Sequence, residues 1–350
     1  MGFLNRRKLK IMHNWTGLFL SIVLSVLTFS GTLLIFKDDY LRATIPAASD
    51  KLIYSAEKFG KAVAKIEQQT QKSPISYISF AHKKSSLHRV VYQDGSAAYT
   101  DQFGNIIKYW DKNGSLEDWI FHLHHYLFLG DFGKLLSGVI GFIAIFMCIT
   151  GLIILWPALK AFRWRVLPKS CKRADLMSQH RDVGMIFFLP IVILMFTGSS
   201  MVYSTPAQFL LSAITLSGTS DFERPLATAG TINWPLALIQ AQKQFPSAKL
   251  TMVSGPRNDS SPASIRLKQT DEWHQNGRTY AYINPSTSEV ISVKDALSMT
   301  RAERGFQMLY PIHSGAVGGR IVDVIYTLTG LALIVLSLIG SWTFIKRLRR

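Results

Sequence analysis

Four stretches of the chain are apolar almost without interruption: residues 15–36, 135–156, 183–203 and 324–345. At about 1.5 Å per residue each is long enough to cross roughly 30 Å of hydrocarbon. Between them the pattern changes. Over residues 51–71, Ala56, Phe59, Val63 and Ile66 fall on one helical face. Strand-like runs follow at 75–80, 89–93 and 97–100, then a turn at Phe103-Gly104-Asn105. The third connection repeats that order, with a helix over 235–244, strands near 249–253, 263–267 and 279–283, and a turn at Asn284-Pro285-Ser286. Each segment reads as a helix on a small antiparallel sheet. Neither holds a nucleophile–base pair, a phosphate loop or a carboxylate pair at telling spacing, so no catalytic residue is assigned.

The predicted class is an integral membrane α-helical protein: a four-helix transmembrane bundle, made of two span–domain–span repeats, plus two small extracytoplasmic α+β domains. In chain order these are span one (1–36), a first outer domain (37–120), span two (121–160), a cytoplasmic linker (161–182), span three (183–203), a second outer domain (204–310), and span four with a basic C-terminus (311–350). The first run follows Arg6, Arg7, Lys8 and Lys10, as a secretory signal would, and Pro46-Ala47-Ala48 is a weak cleavage candidate. Its length of 22 residues exceeds the about 7–15 of a signal core, so it reads as a span.

Charge fixes the orientation. The chain has a formal charge of +17 and a pI near 9.9, yet only 17% charged residues. A high pI usually suggests nucleic acid. Here 15 cations sit in the N-terminus, the 157–182 segment between spans two and three and the C-terminus, opposed only by Asp175 and Asp182, so +13 of the +17 lies in short flanks. The two long connections carry 13 cations against 11 acids and 11 against 8. Cations in short flanks mark the cytoplasmic side. Both termini are therefore expected inside a bacterial inner membrane, with lipid as a partner and no nucleic acid. Cys148 and Cys171 form no CxxC, CxxCH or zinc-finger spacing, which excludes covalently attached c-type haem, cysteine-ligated clusters and a disulfide scaffold. Both fall in a span or the cytoplasmic linker, as an oxidising outer space would favour.

The chain also repeats itself. At an offset of 167, His13, Gly17 and Gly31 fall on His180, Gly184 and Gly198. At an offset of 189, His124, Gly130, Gly141 and Gly151 fall on His313, Gly319, Gly330 and Gly340. Shared apolar composition explains matching leucines but not matching histidines. Two halves of two spans each keep the same orientation, so the twofold axis runs along the membrane normal.

The repeat pairs His13 with His180 at the cytoplasmic ends of outward spans, and His124 with His313 at the outer ends of inward spans. Imidazoles facing across a four-helix bundle are the axial arrangement of b-type haem, which needs no cysteine. Gly31 lies five turns from His13 on the same face and would clear space near the outer haem. Two other readings stand beside this: histidines as polar caps at span ends, and zinc, because His122, His124 and His125 cluster. Only His124 of those three has a repeat counterpart, so His122 and His125 rank as supporting or surface groups. Glycines in spans also serve helix packing. His124 is 11 residues before Leu135, about 16 Å of continuous helix, so either the outer haem sits at the surface or the chain bends near Gly130-Asp131.

The runs HNWTGLFLSIVLSVLTFSG, LHHYLFLGDFGKLLSGVIGFIAIFMCITGLIILW and HRDVGMIFFLPIVILMFTG resemble the bacterial PepSY-associated transmembrane proteins, often called iron-regulated membrane proteins. The outer segments resemble PepSY domains, residues 234–293 most of all, and the resemblance covers nearly the whole chain. It implies an inner-membrane ferrisiderophore reductase with two b-type haems held by His13, His124, His180 and His313. Electrons would enter at the inner haem, pass to the outer one and reduce a ferric chelate or siderophore between the outer domains, where oxygen chelators release Fe(II) readily. Some relatives carry a fused flavin reductase. This chain ends after the last span without a GxGxxG, so a separate donor is expected, quinol or a cytoplasmic reductase. Arg320 could attract an anionic chelate, a haem propionate or a headgroup. Trp110, Trp119, Trp234 and Trp273 offer stacking or packing surfaces. The alternative function is a non-catalytic PepSY sensor or peptidase-binding module on a membrane anchor; few spans without internal charges disfavour a permease.

Overall fold

The computed structural model describes residues 6–69, 73–218, 220 and 222–349. The expected end of the first outer helix, at 70–71, and Arg350 of the basic C-terminus lie outside the described residues. Among the described residues eleven α-helices run in the order α1 Arg6–Ile35, α2 Lys37–Thr44, α3 Ala56–Gln69, α4 Leu116–Tyr126, α5 Gly130–Leu155, α6 Arg173–Ile186, α7 Phe188–Val202, α8 Ser204–Thr215, α9 Trp234–Gln244, α10 Arg301–His313 and α11 Gly319–Leu348. Eight strands, β1 Ile75–Ser79, β2 His88–Tyr92, β3 Ala97–Thr100, β4 Ile106–Trp110, β5 Lys249–Ser254, β6 Ala263–Lys268, β7 Thr279–Ile283 and β8 Val290–Lys294, complete the order.

The chain divides into two units. The helical unit comprises the chain up to Ile35, Ile120–Ala207 and Ile312 onward. Within it α1 packs on α11 and α5, α5 on α7, and α6 on α11. Leu20, Leu24 and Leu27 of α1 meet Ile140 and Ala144 of α5 and Ala332, Leu333 and Leu336 of α11 in its core. Among the described residues three helices are long and apolar enough to cross a membrane, yet no more than 33% of any of their most apolar windows is buried. Phe19 and Ile22 are 76% and 75% exposed. A helix apolar all round whose flank finds no protein needs lipid to cover it.

The third expected span is not one straight helix. α6 and α7 meet at Phe187 with a 64° bend and pass as a span only together. Pro190 explains the break: it has no N–H to give the Ile186 carbonyl, and its ring crowds the preceding turn.

The second unit, Phe36–Trp119 with Gln208–Pro311, corrects the expectation of two separate outer domains. Both segments contribute four strands to one antiparallel sheet of order β4-β3-β2-β1-β5-β6-β7-β8. The halves join where Ile78 of β1 pairs with Val253 of β5, extended by the Phe80 N–H donating to the Thr251 carbonyl at 2.9 Å. One core spans both: Phe59, Val63 and Ile66 of α3 and Ala237, Leu238 and Ala241 of α9 lie over Ile78, Val90, Val253, Ile265 and Ile283. Pairing β1 with β5 removes an open edge from each half. The two strands absent from the sequence expectation, β4 and β8, are the outer edges; β4 is mostly exposed and β8 alternates between exposed and half-buried positions with none fully buried, so the burial that marks a strand is weak.

Candidate functional site: two histidine pairs in the helical unit

α1 carries His13 near one end and Leu27, Ser30 and Gly31 near the other, about 21–27 Å further along. In the second half the same positions, His180, Leu194, Thr197 and Gly198, are divided between α6 and α7. The bend at Phe187 does not disturb their correspondence.

His124 and His313 are not on the spans, as the sequence reading had them. His124 closes α4, and Leu127, Phe128 and Gly130 then turn the chain through left-handed backbone, φ +49°, +58° and +59°, before α5 begins. His313 ends α10, and Gly315, Gly318 and Gly319, φ +72°, +104° and +61°, do the same before α11. The matched Gly130 and Gly319 occupy this conformation at low cost because they lack a Cβ. The turns answer the distance problem posed by His124: the chain bends just before the span.

The imidazoles meet as the repeat pairs them. The ring centroids of His13 and His180 are 6.5 Å apart, and those of His124 and His313 are 6.2 Å apart. The interplanar angles are 89° and 33°. Each ring is oriented through Nδ1. The Nδ1–H of His124 donates to the Leu27 carbonyl at 2.9 Å, and that of His313 to the Leu194 carbonyl at 3.0 Å. Ser30 and Thr197 place hydroxyls 3.4 and 3.1 Å from the same nitrogens. His180 donates to the Leu336 carbonyl at 3.1 Å. His13 departs from its counterpart: it meets the Thr150 hydroxyl at 2.9 Å, and that hydroxyl donates at 3.1 Å to the carbonyl of Met147, the repeat equivalent of Leu336. An Nδ1–H given to a carbonyl leaves Nε2 with its lone pair, the tautomer of a metal-binding imidazole.

The matched glycines divide into two roles. Gly31 and Gly198 lie against His124 and His313, and Gly151 and Gly340 against His13 and His180; an added Cβ would stand 2.7, 2.8, 3.4 and 3.3 Å from the respective Cε1 atoms. Gly141 and Gly330 instead face the hydroxyls of Ser199 and Thr32, which are themselves repeat equivalents, at helix crossings.

His125 stacks on Phe121 at 4.2 Å, and His122 lies 5.6 Å from the Tyr126 ring. Among the described residues no three His, Cys, Asp or Glu side chains converge to hold one ion, so a zinc site on His122, His124 and His125 gains no support. The remaining histidines belong to the sheet unit. His88 is buried, with Nδ1 accepting the Ala81 N–H at 2.9 Å. Burial lowers its pKa to about 4. His274 stacks on Tyr310 at 5.0 Å, and burial with Arg278 and Arg266 nearby lowers it to about 3. His82 Nε2 is 4.0 Å from Asp38. Arg320 is exposed on the first turn of α11, beyond the glycine turn from His313. Trp110 and Trp234 are buried and donate to Asp118 and Glu67, whereas Trp119 and Trp273 are exposed.

The residues that orient the imidazoles, Leu27, Leu194, Leu336 and Thr150, did not emerge from the sequence. Their signal was present: the 167 offset that aligns His13 with His180 also aligns Leu27 with Leu194 and the hydroxyls of Ser30 and Thr197. The family described as the PepSY-associated TM region matches this chain over residues 11–347. No curated protein matches it.

Proposed function

The chain belongs to the PepSY-associated TM family of multi-pass membrane proteins, and from that premise we propose that it carries electrons across a bacterial inner membrane to a ferric chelate on the outer side. The observation that carries this reading is the pair of repeat-related histidine couples, each with its Nδ1–H committed inward and its Nε2 free to bind iron.

The residues fit two b-type haems. A metal–imidazole bond is about 2.0–2.1 Å, and the ring centres of each facing pair, 6.5 and 6.2 Å apart, would leave room for one metal ion between two imidazole nitrogens. His13 and His180 would hold one haem and His124 and His313 the other. When bound, the haems supply one-electron carriers, and that chemistry is the cofactor's own. The protein's part is to fix His124, His313 and His180 by backbone carbonyls and His13 by the Thr150 hydroxyl, with a glycine against each ring.

In this reading the four spans form one bundle, both termini and the 161–182 linker are cytoplasmic, and the sheet unit lies outside, where it receives the chelate. A quinol or a separate cytoplasmic reductase supplies the electrons.

A reduced-minus-oxidised absorption spectrum of the purified protein, with pyridine haemochrome quantitation, tests the proposal. The expected result is one acid-extractable haem b per histidine pair. A folded but colourless protein from haem-replete cells would overturn it and leave a sensor or peptidase-binding role.

A further inference from the structure

The face of the sheet turned away from α3 and α9 carries chemistry that the haem reading does not use. Ile265 and Leu267 of β6 point into the core, so Arg266 between them points to the other face. There it pairs with Tyr280 of β7, which pairs with Lys294 of β8. The Arg266 guanidinium lies 5.5 Å from the Tyr280 ring centre. Tyr280 stacks on Tyr282 at 6.2 Å and 18°, and Phe222 stacks on Tyr282 at 5.5 Å and 22°. The Lys294 ammonium lies 5.2 Å from the Phe222 ring. These rings, with Arg224, Arg278 and Gln307, line a cleft of about 270 Å³.

The cleft holds polar atoms that lack partners. Arg278 Nε and Gln307 Oε1 in its wall, and a terminal nitrogen of Arg266 beside it, are shut off from solvent with no hydrogen bond. Arg266 is only 9% exposed. Burial first, and the neighbouring Arg278 second, lower its pKa to about 10. The nearby acids offset only part of this cluster's charge. Glu303 forms an ion pair with Lys294 at 3.9 Å. Glu272 is occupied by the Thr279 hydroxyl at 2.7 Å, the Gln269 N–H at 2.9 Å and the Arg278 backbone N–H. Four cations thus face two acids, and each unpaired buried polar atom is destabilising until something pairs with it.

We propose that this cleft binds a planar aromatic oxyanion of the catecholate class, one ring at a time, and so receives one arm of an aromatic ferric chelate. Phe222, Tyr280 and Tyr282 give the cleft an aromatic wall, which suits a flat ring better than a tetrahedral anion. The arginines suit its oxygens, which guanidinium forks grip in charge-assisted pairs. The Gln307 acceptor suits a phenolic hydroxyl. The volume falls just below the roughly 300–1,000 Å³ of pockets that enclose whole drug-sized ligands, so it admits one ring and not an entire chelate. The inference rests on the ferric-chelate reading and adds a substrate class to it.

The test is calorimetric titration of the purified full-length protein with iron-free 2,3-dihydroxybenzoate. Wild type should bind it, and excess inorganic phosphate should not displace it. Arg278→Gln and Lys294→Gln should each weaken binding about tenfold, the effect of one lost charge-assisted contact, with haem spectra unchanged. No binding, or affinity unchanged in Lys294→Gln, would overturn the site. Full displacement by phosphate would overturn the aromatic class. The two readings separate cleanly: if ferric dihydroxybenzoate oxidises pre-reduced haem equally fast in wild type and Arg278→Gln, the cleft is wrong and the reductase reading stands. If binding is lost in the variants while the chelate never oxidises haem, the cleft stands and the reductase reading fails.

Discussion

A Cβ on Gly31 would stand 2.7 Å from Cε1 of His124, and the repeat copies this relation at 2.8 Å between Gly198 and His313. The carbonyl four residues before each glycine holds the same imidazole, so the ring has no room to retreat without losing its hydrogen bond. Gly31→Val should therefore dislodge His124 and abolish the haem at that end while sparing the one at His13 and His180. Haem quantitation on the purified variant would halve; loss of both haems, or of neither, would contradict the geometry.

Single alanine substitutions should sort the four histidines into couples. His13→Ala and His180→Ala should delete one spectral species, and His124→Ala and His313→Ala the other. The low-temperature α-band decides this, and deletion of the same species by His13→Ala and His124→Ala would refute the pairing. His125→Ala, which removes a ring stacked on Phe121, should leave both species in place.

Thr150 makes the two halves unequal, because only His13 reaches its carbonyl through a hydroxyl. Thr150→Val should weaken haem retention at that pair about 10–100-fold, the usual effect of removing a partner behind a metal ligand. Haem transfer to an apo-globin acceptor measures it, and the other pair's transfer rate serves as the internal reference.

The sheet unit should lose stability in mild acid. His88 is held neutral by burial, with a pKa of about 4 against an unfolded value of 6.5. The unfolded chain therefore binds more protons between those values, and stability rises with pH across that window. The contribution is complete above about pH 6.5 and is lost as pH falls toward 4, a change on the order of 3 kcal/mol. His274, lowered to about 3, acts with the same sign. Denaturant midpoints at pH 8 and pH 5 should show the decline, and His88→Gln should flatten it.

Orientation can be read from a thiol. Cys171 is exposed on the linker, whereas Cys148 is only partly accessible within α5. A membrane-impermeant maleimide should label inverted vesicles and not spheroplasts, and Cys171→Ser should remove the signal. Labelling of intact spheroplasts at Cys171 would reverse the proposed topology.

The sequence revealed most where it repeats. Uninterrupted apolar runs located the spans because lipid demands apolar side chains all round, and the paired offsets located His13, His124, His180 and His313 because composition cannot align histidines. What it hid was set by backbone geometry. Pro190 signals a break, but the 64° bend it leaves depends on the helices packed around it. The fold-back of α4 and α10 depends on left-handed turns, and only the glycines among Leu127, Phe128, Gly130, Gly315 and Gly318 advertise that conformation. The fusion of two sheets into one was invisible because β1 and β5 look like ordinary half-buried strands whichever partner they take.

The β1–β5 junction also sets a schedule for biogenesis. Ile78 waits for Val253, a partner 175 residues later in the chain. At about 5–20 residues per second, the first four strands stand beside an unfilled edge for roughly 10–35 s while two more spans are synthesised and inserted. During that interval the open ladder of β1 can pair with any extended strand within reach, including another nascent copy. The newborn protein thus has a period of vulnerability that its finished form does not show, and slowed translation between Ser79 and Lys249 should lengthen it.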